Sequence, residues 1–311
     1  MSGKHQVTKD PITGAETTGH VWDDDLQEFN NPLPNWWLWA FYGTIIFTIV
    51  YWILYPSWPT GLAEKGFISG IKTVTFKSDA GEEITEHWTT RARLAHEMQN
   101  EPVELKRQEM VKTIAALPFE EVANNQQNSA FVLAYGKGTF GDNCAGCHQT
   151  GGQGVIGHYP NLIDDAWLWG GDSKDIEATI VNGRNGNMPG HSATLSSEQI
   201  TQVSNYVLSL SGEAVDTNLA SAGKEIFNTK GCSGCHTPTG IGMKALGAAN
   251  LTDKIWTQAN VPGAKDLAGK VSEIENVVAN GIKRQMPAFS GRLSNDEIKV
   301  LVAYVKLLGT E

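Results

Sequence analysis

Basic residues are scarce in this chain: 24 Lys and Arg stand against 34 Asp and Glu in 311 residues, a formal charge of −10. That balance excludes a protein whose main business is gripping nucleic-acid phosphates, because such surfaces need clustered Lys and Arg. Cysteine is scarcer still, four in all, too few to scaffold a chain of this length with disulfides. With 33 Gly and 12 Pro, the composition is neither collagen-like nor low-complexity. Apolar residues at 41% and charged residues at 19% lie near globular averages, and the length allows two or three domains with packed cores.

Charge is missing altogether from one stretch. Trp36 to Tyr55 is 20 residues without Asp, Glu, Lys or Arg, and at about 1.5 Å per residue a helix of that length matches the ~30 Å hydrocarbon thickness of a bilayer. Trp36, Trp37, Trp39, Trp52, Tyr55 and Trp58 crowd its ends, where amphipathic rings sit at headgroup level. Pro34 and Pro56 punctuate the boundaries. The polar, mostly acidic residues 1–35 offer neither a basic n-region nor a small-residue cleavage site, so the segment at 36–57 reads as a retained anchor and not as a cleaved signal. Charge does not orient it: Lys4 and Lys9 before the span balance Lys65 and Lys72 after it. Residues 58–128 read as a linker, with a strand-like patch at Lys72–Lys77 and polar helices over Glu82–Asn100 and Pro102–Ala116.

All four cysteines fall into two copies of one pattern, Cys144-Ala-Gly-Cys147-His148 and Cys232-Ser-Gly-Cys235-His236. This spacing is the attachment motif of c-type haem. On a helix, positions i, i+3 and i+4 share a face, so two thiols reach two haem vinyl groups while the imidazole meets the iron. A zinc site would need its Cys pairs closer together or His pairs downstream. Two covalently attached haem c groups are therefore expected. Such attachment is completed outside the bacterial cytoplasmic membrane, which places everything after Tyr55 in the periplasm and residues 1–35 in the cytoplasm.

Beyond the motifs the chain repeats itself. Asn182 to Leu210 lies on Asn280 to Leu308 at a constant offset of 98, with Met188-Pro189 on Met286-Pro287 and Tyr206-Val207 on Tyr304-Val305. Upstream, Gly136, Phe140, Asn161-Leu162 and Trp167 match Gly223, Phe227, Asn250-Leu251 and Trp256. Ser196-x-x-Gln199 and Ser294-x-x-Glu297 are capping boxes. They open helices with apolar faces at Ile200, Val203, Val207 and Leu210, and at Ile298, Leu301, Val305 and Leu308. The expectation is all-α: one transmembrane helix followed by two tandem class I cytochrome c domains, 129–212 and 213–311, each with its final helix packed on its own first helix.

The sixth iron ligand falls to Met188, 40 residues after His148, and to Met286, 50 residues after His236. A thioether suits haem iron and raises its potential. Met243 is a weaker rival for the second haem, and His158 and His191 could in principle replace Met188, although neither has a counterpart in the second copy. Trp167 and Trp256 are expected beside the haem edge or in plain core packing. Arg184 and Lys283 or Arg284 are either propionate partners or solvated cations. Residues 129–212 carry seven acidic and three basic residues, and residues 216–311 nine and eleven, so an acidic first domain could steer a basic donor cytochrome.

The run Asn30 to Phe47, NNPLPNWWLWAFYGTIIF, followed by this linker and two fused c-type domains, resembles the di-haem membrane-anchored subunit of cbb3-type cytochrome c oxidases, the CcoP/FixP family. The resemblance covers nearly the whole chain. It implies a subunit of the bacterial inner membrane that takes electrons from a soluble donor cytochrome c. These would pass to the mono-haem subunit and on to the haem–copper catalytic subunit, which reduces oxygen and pumps protons. It also implies haem attachment at Cys144, Cys147, Cys232 and Cys235, with His148 and Met188, and His236 and Met286, as axial ligands, no catalytic residue and no nucleic-acid partner. Two other functions fit the motifs: the cytochrome subunit of a membrane dehydrogenase, and a di-haem peroxidase in which one iron opens a coordination position.

Overall fold

The computed structural model describes residues 7–23, 26–56, 70–78 and 80–309. Trp58, Lys4 and Lys65 lie outside them. The chain divides into two compact units, Met1–Lys106 and Arg107–Glu311.

The first unit begins with an antiparallel hairpin, β1 (Thr17–Trp22) and β2 (Leu26–Phe29). Helix α1 (Asn35–Leu54) follows; Pro34 precedes its first residue and extended Tyr55 ends it. None of its side chains is buried, and an 18-residue window within it has a mean hydropathy of 1.7. A helix of 20 residues without a charged side chain is long and apolar enough to cross a membrane. Just beyond it, β3 (Thr73–Lys77) pairs with β4 (Glu83–His87). The hairpin is tied to the end of α1 by Ile71 and Lys72 amides donating to the Ile53 and Leu54 carbonyls (2.9 and 3.1 Å), and by Trp88 standing edge-on to Tyr55 at 4.8 Å.

The helix expected over Glu82–Asn100 is thus a strand and a shorter helix, α2 (Thr90–Asn100). Thr85 sits across from Thr75, their hydroxyls 2.8 Å apart, and β-branched Ile84 faces Phe76, pairings that a pleated ladder rewards. The Thr89 hydroxyl accepts from the Ala92 amide and starts α2 afresh. His96 Nδ1 meets the Thr75 carbonyl at 2.7 Å, so this histidine buttresses α2 on β3.

The second unit contains α3 (Pro102–Ala116) from Arg107 onward, then α4 (Phe119–Asn124), α5 (Gln126–Asn143) and α6 (Ala145–His148). These lead into α7 (Ser173–Asn182), strand β5 (Arg184–Met188) and α8 (Ser197–Leu210). The second copy answers with α9 (Thr217–Thr229), α10 (Cys232–His236), α11 (Leu267–Asn280), β6 (Ile282–Met286) and α12 (Asn295–Leu308). Both expected capping boxes are formed.

The final helices do not pack on the first helices of their own copies, and this corrects the expectation. One core joins Val132 and Phe140 of α5 and Ile176 and Ile180 of α7 to Ile298, Leu301 and Val305 of α12. The other joins Ile200, Val203 and Val207 of α8 to Ile226 and Phe227 of α9 and Ile274 and Val278 of α11. Phe140 packs on Tyr304 (5.5 Å between centroids) and Phe227 on Tyr206 (5.3 Å). Burying each Phe contributes roughly 2–3 kcal/mol. The boundary at 212/213 therefore separates repeats, while each core draws on both of them.

The exchange begins where each middle helix ends. Gly183 (φ 68, ψ −178) and Gly281 (φ 71, ψ −174) occupy backbone space open essentially to glycine alone. They launch β5 and β6 against each other as an antiparallel ladder, Arg184 opposite Met286 through Met188 opposite Ile282. The six-residue connection Ser211 to Asp216 then folds α8 back on α9, a local pairing with little loop-closure cost.

Glu297 ties α12 to α5. It accepts from the Ser294 amide (2.9 Å) and from the Tyr135 hydroxyl (3.0 Å) of the other copy. Burial opposes its ionisation, but the Ser294 and Tyr135 donors and the charge of Arg107 outweigh that and hold the carboxyl below its ordinary 4.5. A depressed acid stabilises the fold above its unfolded pKa and loses that contribution as pH falls through the folded value. Denaturant melts between neutral pH and pH below 4.5 should show an acid-linked loss of stability that is smaller in Glu297→Gln.

Candidate haem-binding site

Each haem motif closes a short helix at the end of a longer one. Helix α5 leads through Cys144 into α6, and α9 leads through Lys230 and Gly231 into α10. Cys144 and Cys232 pack against the first and the second core respectively, while Cys147 and Cys235 are exposed. The thiols of one motif thus straddle the edge of a core. Burial, aided by Cys147, pushes the Cys144 thiol up to about 11, and burial raises Cys232 likewise. Neither is held as a reactive thiolate.

The two imidazoles are fixed alike. His148 Nδ1 lies 3.0 Å from the Pro160 carbonyl and His236 Nδ1 lies 2.9 Å from the Ala249 carbonyl. A carbonyl only accepts, so Nδ1 carries the proton in both rings and Nε2 keeps its lone pair for a metal. Burial holds both rings below the usual histidine value against the opposing pull of the carbonyl. Neutral, oriented imidazoles beside paired thiols fit a c-type haem. No group of three or more His, Cys, Asp or Glu side chains suited to a metal ion gathers among the described residues.

The methionines complete the pattern with a change of partner. Met286 packs against the core that contains Cys144, Leu162 and Trp167; Met188 packs against the one that contains Cys232, Leu251 and Trp256. Met286 thus shares a core with Cys144 of the first motif, and Met188 shares one with Cys232 of the second. Met243 is exposed, its amide bridged to Ala248. His158 is exposed, and the His191 amide donates to Val278. Trp167 and Trp256 are half-buried against the two cores.

Two basic residues of the methionine loops, Arg184 and Arg284, have protein partners. Arg184 donates from Nε to the Thr179 hydroxyl (2.9 Å) and stacks 4.8 Å over Trp169, and Arg284 donates to the Gly157 carbonyl. Because each core mixes copies, a charge tally by repeat does not describe a surface, and the steering idea loses its footing. The histidine anchors are the Pro160 and Ala249 carbonyls, which sequence motifs alone do not single out. Their signal was present, since each directly precedes a repeated Asn-Leu.

Known proteins are similar to this chain in sequence. The family described as the N-terminal domain of cytochrome oxidase-cbb3, FixP, matches residues 14–61, and that of cytochrome c oxidase, cbb3-type, subunit III, matches 132–207 and 218–305. A cbb3-type cytochrome c oxidase subunit FixP from Azorhizobium caulinodans is 39% identical over 321 residues, covering 99% of both chains. Subunits named CcoP from an Azospirillum species and from Rubrivivax gelatinosus are 37% and 39% identical, covering 98% and 93% of this chain and 98% and 83% of their own.

Proposed function

Since the chain belongs to the FixP/CcoP family, subunit III of cbb3-type cytochrome c oxidases, and is a membrane-associated haem c electron-transfer subunit of that oxidase, we propose how its residues do this work. Cys144 with Cys147 and Cys232 with Cys235 bind two haem c groups through thioethers. His148 and His236 supply nitrogen ligands, and Met188 and Met286 supply sulfur. The observation that carries this is the duplicated arrangement itself: an anchored neutral imidazole, a thiol pair at a core edge, and a Met-Pro loop against the same core.

When bound in such a site, haem c exchanges one electron at a potential raised by the methionine sulfur. The chain's residues restrict it to that task. Were each iron held by a histidine Nε2 and a methionine thioether, the protein would leave it no position for a substrate. The buried cores around Phe140 and Phe227 exclude water, and the carbonyl-tethered imidazoles hold the ligand geometry rigid between oxidation states. Helix α1 anchors the chain in the bacterial inner membrane with residues 1–35 in the cytoplasm and the haem-bearing unit in the periplasm. Electrons enter from a soluble donor cytochrome c and leave for the mono-haem and the haem–copper catalytic subunits.

Rapid mixing of the assembled oxidase with a reduced soluble c-type cytochrome tests this reading. The haems of this chain are expected to be reduced before the catalytic haems, and to be reoxidised by oxygen when the catalytic subunit is present. Donor-driven oxygen consumption with this chain's haems left oxidised would contradict it.

A further inference from the structure

We propose that the β1–β2 hairpin is a docking surface for the cytoplasmic face of another membrane-spanning subunit of the oxidase, held by apolar contact and by Lys and Arg of that subunit's loops. This rests on the reading above that residues 1–35 lie in the cytoplasm.

The hairpin lacks a core of its own. Among the described residues no apolar side chain before Ala92 is buried, and within β1 only Thr17 and Gly19 are shielded from solvent. Val21, Trp22, Leu26 and Phe29 are instead 44–61% exposed. The ladder sets Trp22 across from Leu26 and Val21 across from Gln27. What ties the segment together is polar: the Thr8 amide donates to the Thr17 hydroxyl (2.9 Å), the Thr8 hydroxyl donates to the Gln27 side chain (3.0 Å), and Lys9 meets Glu16 at 3.8 Å. Two strands with nothing packed over their apolar side chains are marginal in water, and a clustered apolar surface of this kind marks a contact site.

Position and charge choose the occupant. Strand β2 ends at Phe29 and α1 starts at Asn35, and six residue steps reach at most roughly 20 Å, so the hairpin stays beside the membrane. The described residues 7–23 and 26–29 carry four carboxylates, Asp10, Glu16, Asp23 and Glu28, against Lys9 alone, a net charge of −3 with His20 neutral. Asp23 and Glu28 are exposed and frame the Trp22–Leu26 pair: one follows Trp22, and the other shares the face of Leu26. The cytoplasmic leaflet is itself negative and repels such a surface. A second copy of the hairpin would set like charge against like. The cytoplasmic loops of integral membrane proteins carry an excess of Lys and Arg and attract it. An apolar patch framed by carboxylates, at the start of a membrane helix, thus fits a basic loop of a neighbouring transmembrane protein, and membership of an oxidase complex supplies that neighbour.

Carbodiimide crosslinking of the unmodified oxidase in native membranes reads the contact, because the reagent joins a carboxyl only to an amine within reach. Peptide mass spectrometry should find Asp23 or Glu28 joined to a Lys in a cytoplasmic loop of another subunit. Linkage to a second copy of this chain, or no linkage from either carboxylate to another chain, overturns the proposal.

Hydrogen exchange at the β1 and β2 amides separates a protein partner from lipid. The assembled oxidase should protect them at least about tenfold more than the full chain alone in discs of phosphatidylethanolamine and phosphatidylglycerol. Equal protection in the discs means that the leaflet covers the hairpin, and overturns the proposal. Thiol labelling in spheroplasts keeps the underlying reading separate. Full-length Thr13→Cys should react with a membrane-impermeant maleimide only after lysis. Labelling from outside sinks the cytoplasmic placement and the docking with it, whereas labelling only after lysis, without the crosslinks, sinks the docking alone.

Discussion

Replacing Cys144 and Cys147 together by Ala lowers the haem count of the chain from two to one, and its effect reaches the remaining haem. Met286, Trp167 and Leu162 pack on the same core as Cys144, so removing that haem leaves a void beside them that costs several kcal/mol if unfilled. Helix α12 belongs to that core, and its strand β6 pairs with β5 of the other methionine loop. The destabilisation is therefore shared between the two halves. Pyridine haemochrome should read one equivalent, and thermal melts followed at the remaining haem should show a transition lowered by at least several degrees. Two independent modules would keep the second haem's transition where it was.

The other large effect has opposite signs at two glycines of one helix. In α5, a Cβ on Gly136 would meet the Tyr304 side chain at 2.5–2.7 Å, whereas one on Gly138 meets nothing within 4 Å. Gly136→Ala overpacks the α5–α12 crossing and should cost about 1–3 kcal/mol. Gly138→Ala removes a flexible residue from an exposed helical position and should gain about 0.5–1 kcal/mol. For a unit of this size the melting temperature moves roughly 2–4 °C per kcal/mol, so the two variants should separate by several degrees on either side of the parent. A similar result should follow at Gly223, which lies against the backbone of Gln202.

These glycines also show what could be read before the structure was known. The haem motifs, the membrane helix, both capping boxes and the repeat were legible because each is a local spacing of residue types. The crossing was not, because it is a choice between equivalents. Ile200, Val203 and Val207 present the same apolar face as Ile298, Leu301 and Val305, and Gly136 offers the same notch as Gly223. Either final helix suits either first helix, so no pattern within one repeat distinguishes a closed domain from an exchanged one. The decisive features lie between elements: the Gly183 and Gly281 hinges, the extended β5 and β6, and the short connection from Ser211 to Asp216.

Of the strands of the first unit, β3 (Thr73–Lys77) was legible as the strand-like patch Lys72–Lys77, and the others were not, for a different reason. The alternation in Lys72–Lys77 was visible, but its partner Glu83–His87 has only Ile84 as an apolar residue, too little to show a period of two against a polar helix. The Thr17–Trp22 hairpin likewise alternates buried and exposed positions for only part of its length. Polar segments beside a membrane carry weak periodicity, and hydrogen-bond partners that are distant in sequence decide them.

The proposed electron transfer requires two irons, each closed by nitrogen and sulfur. Near-infrared magnetic circular dichroism of the oxidised, full-length chain reads this, because the ligand-to-iron band moves with the axial pair. The expected spectrum is that of His–Met coordination at an intensity of two irons per chain. A bis-histidine band or a high-spin signal at either iron would contradict it.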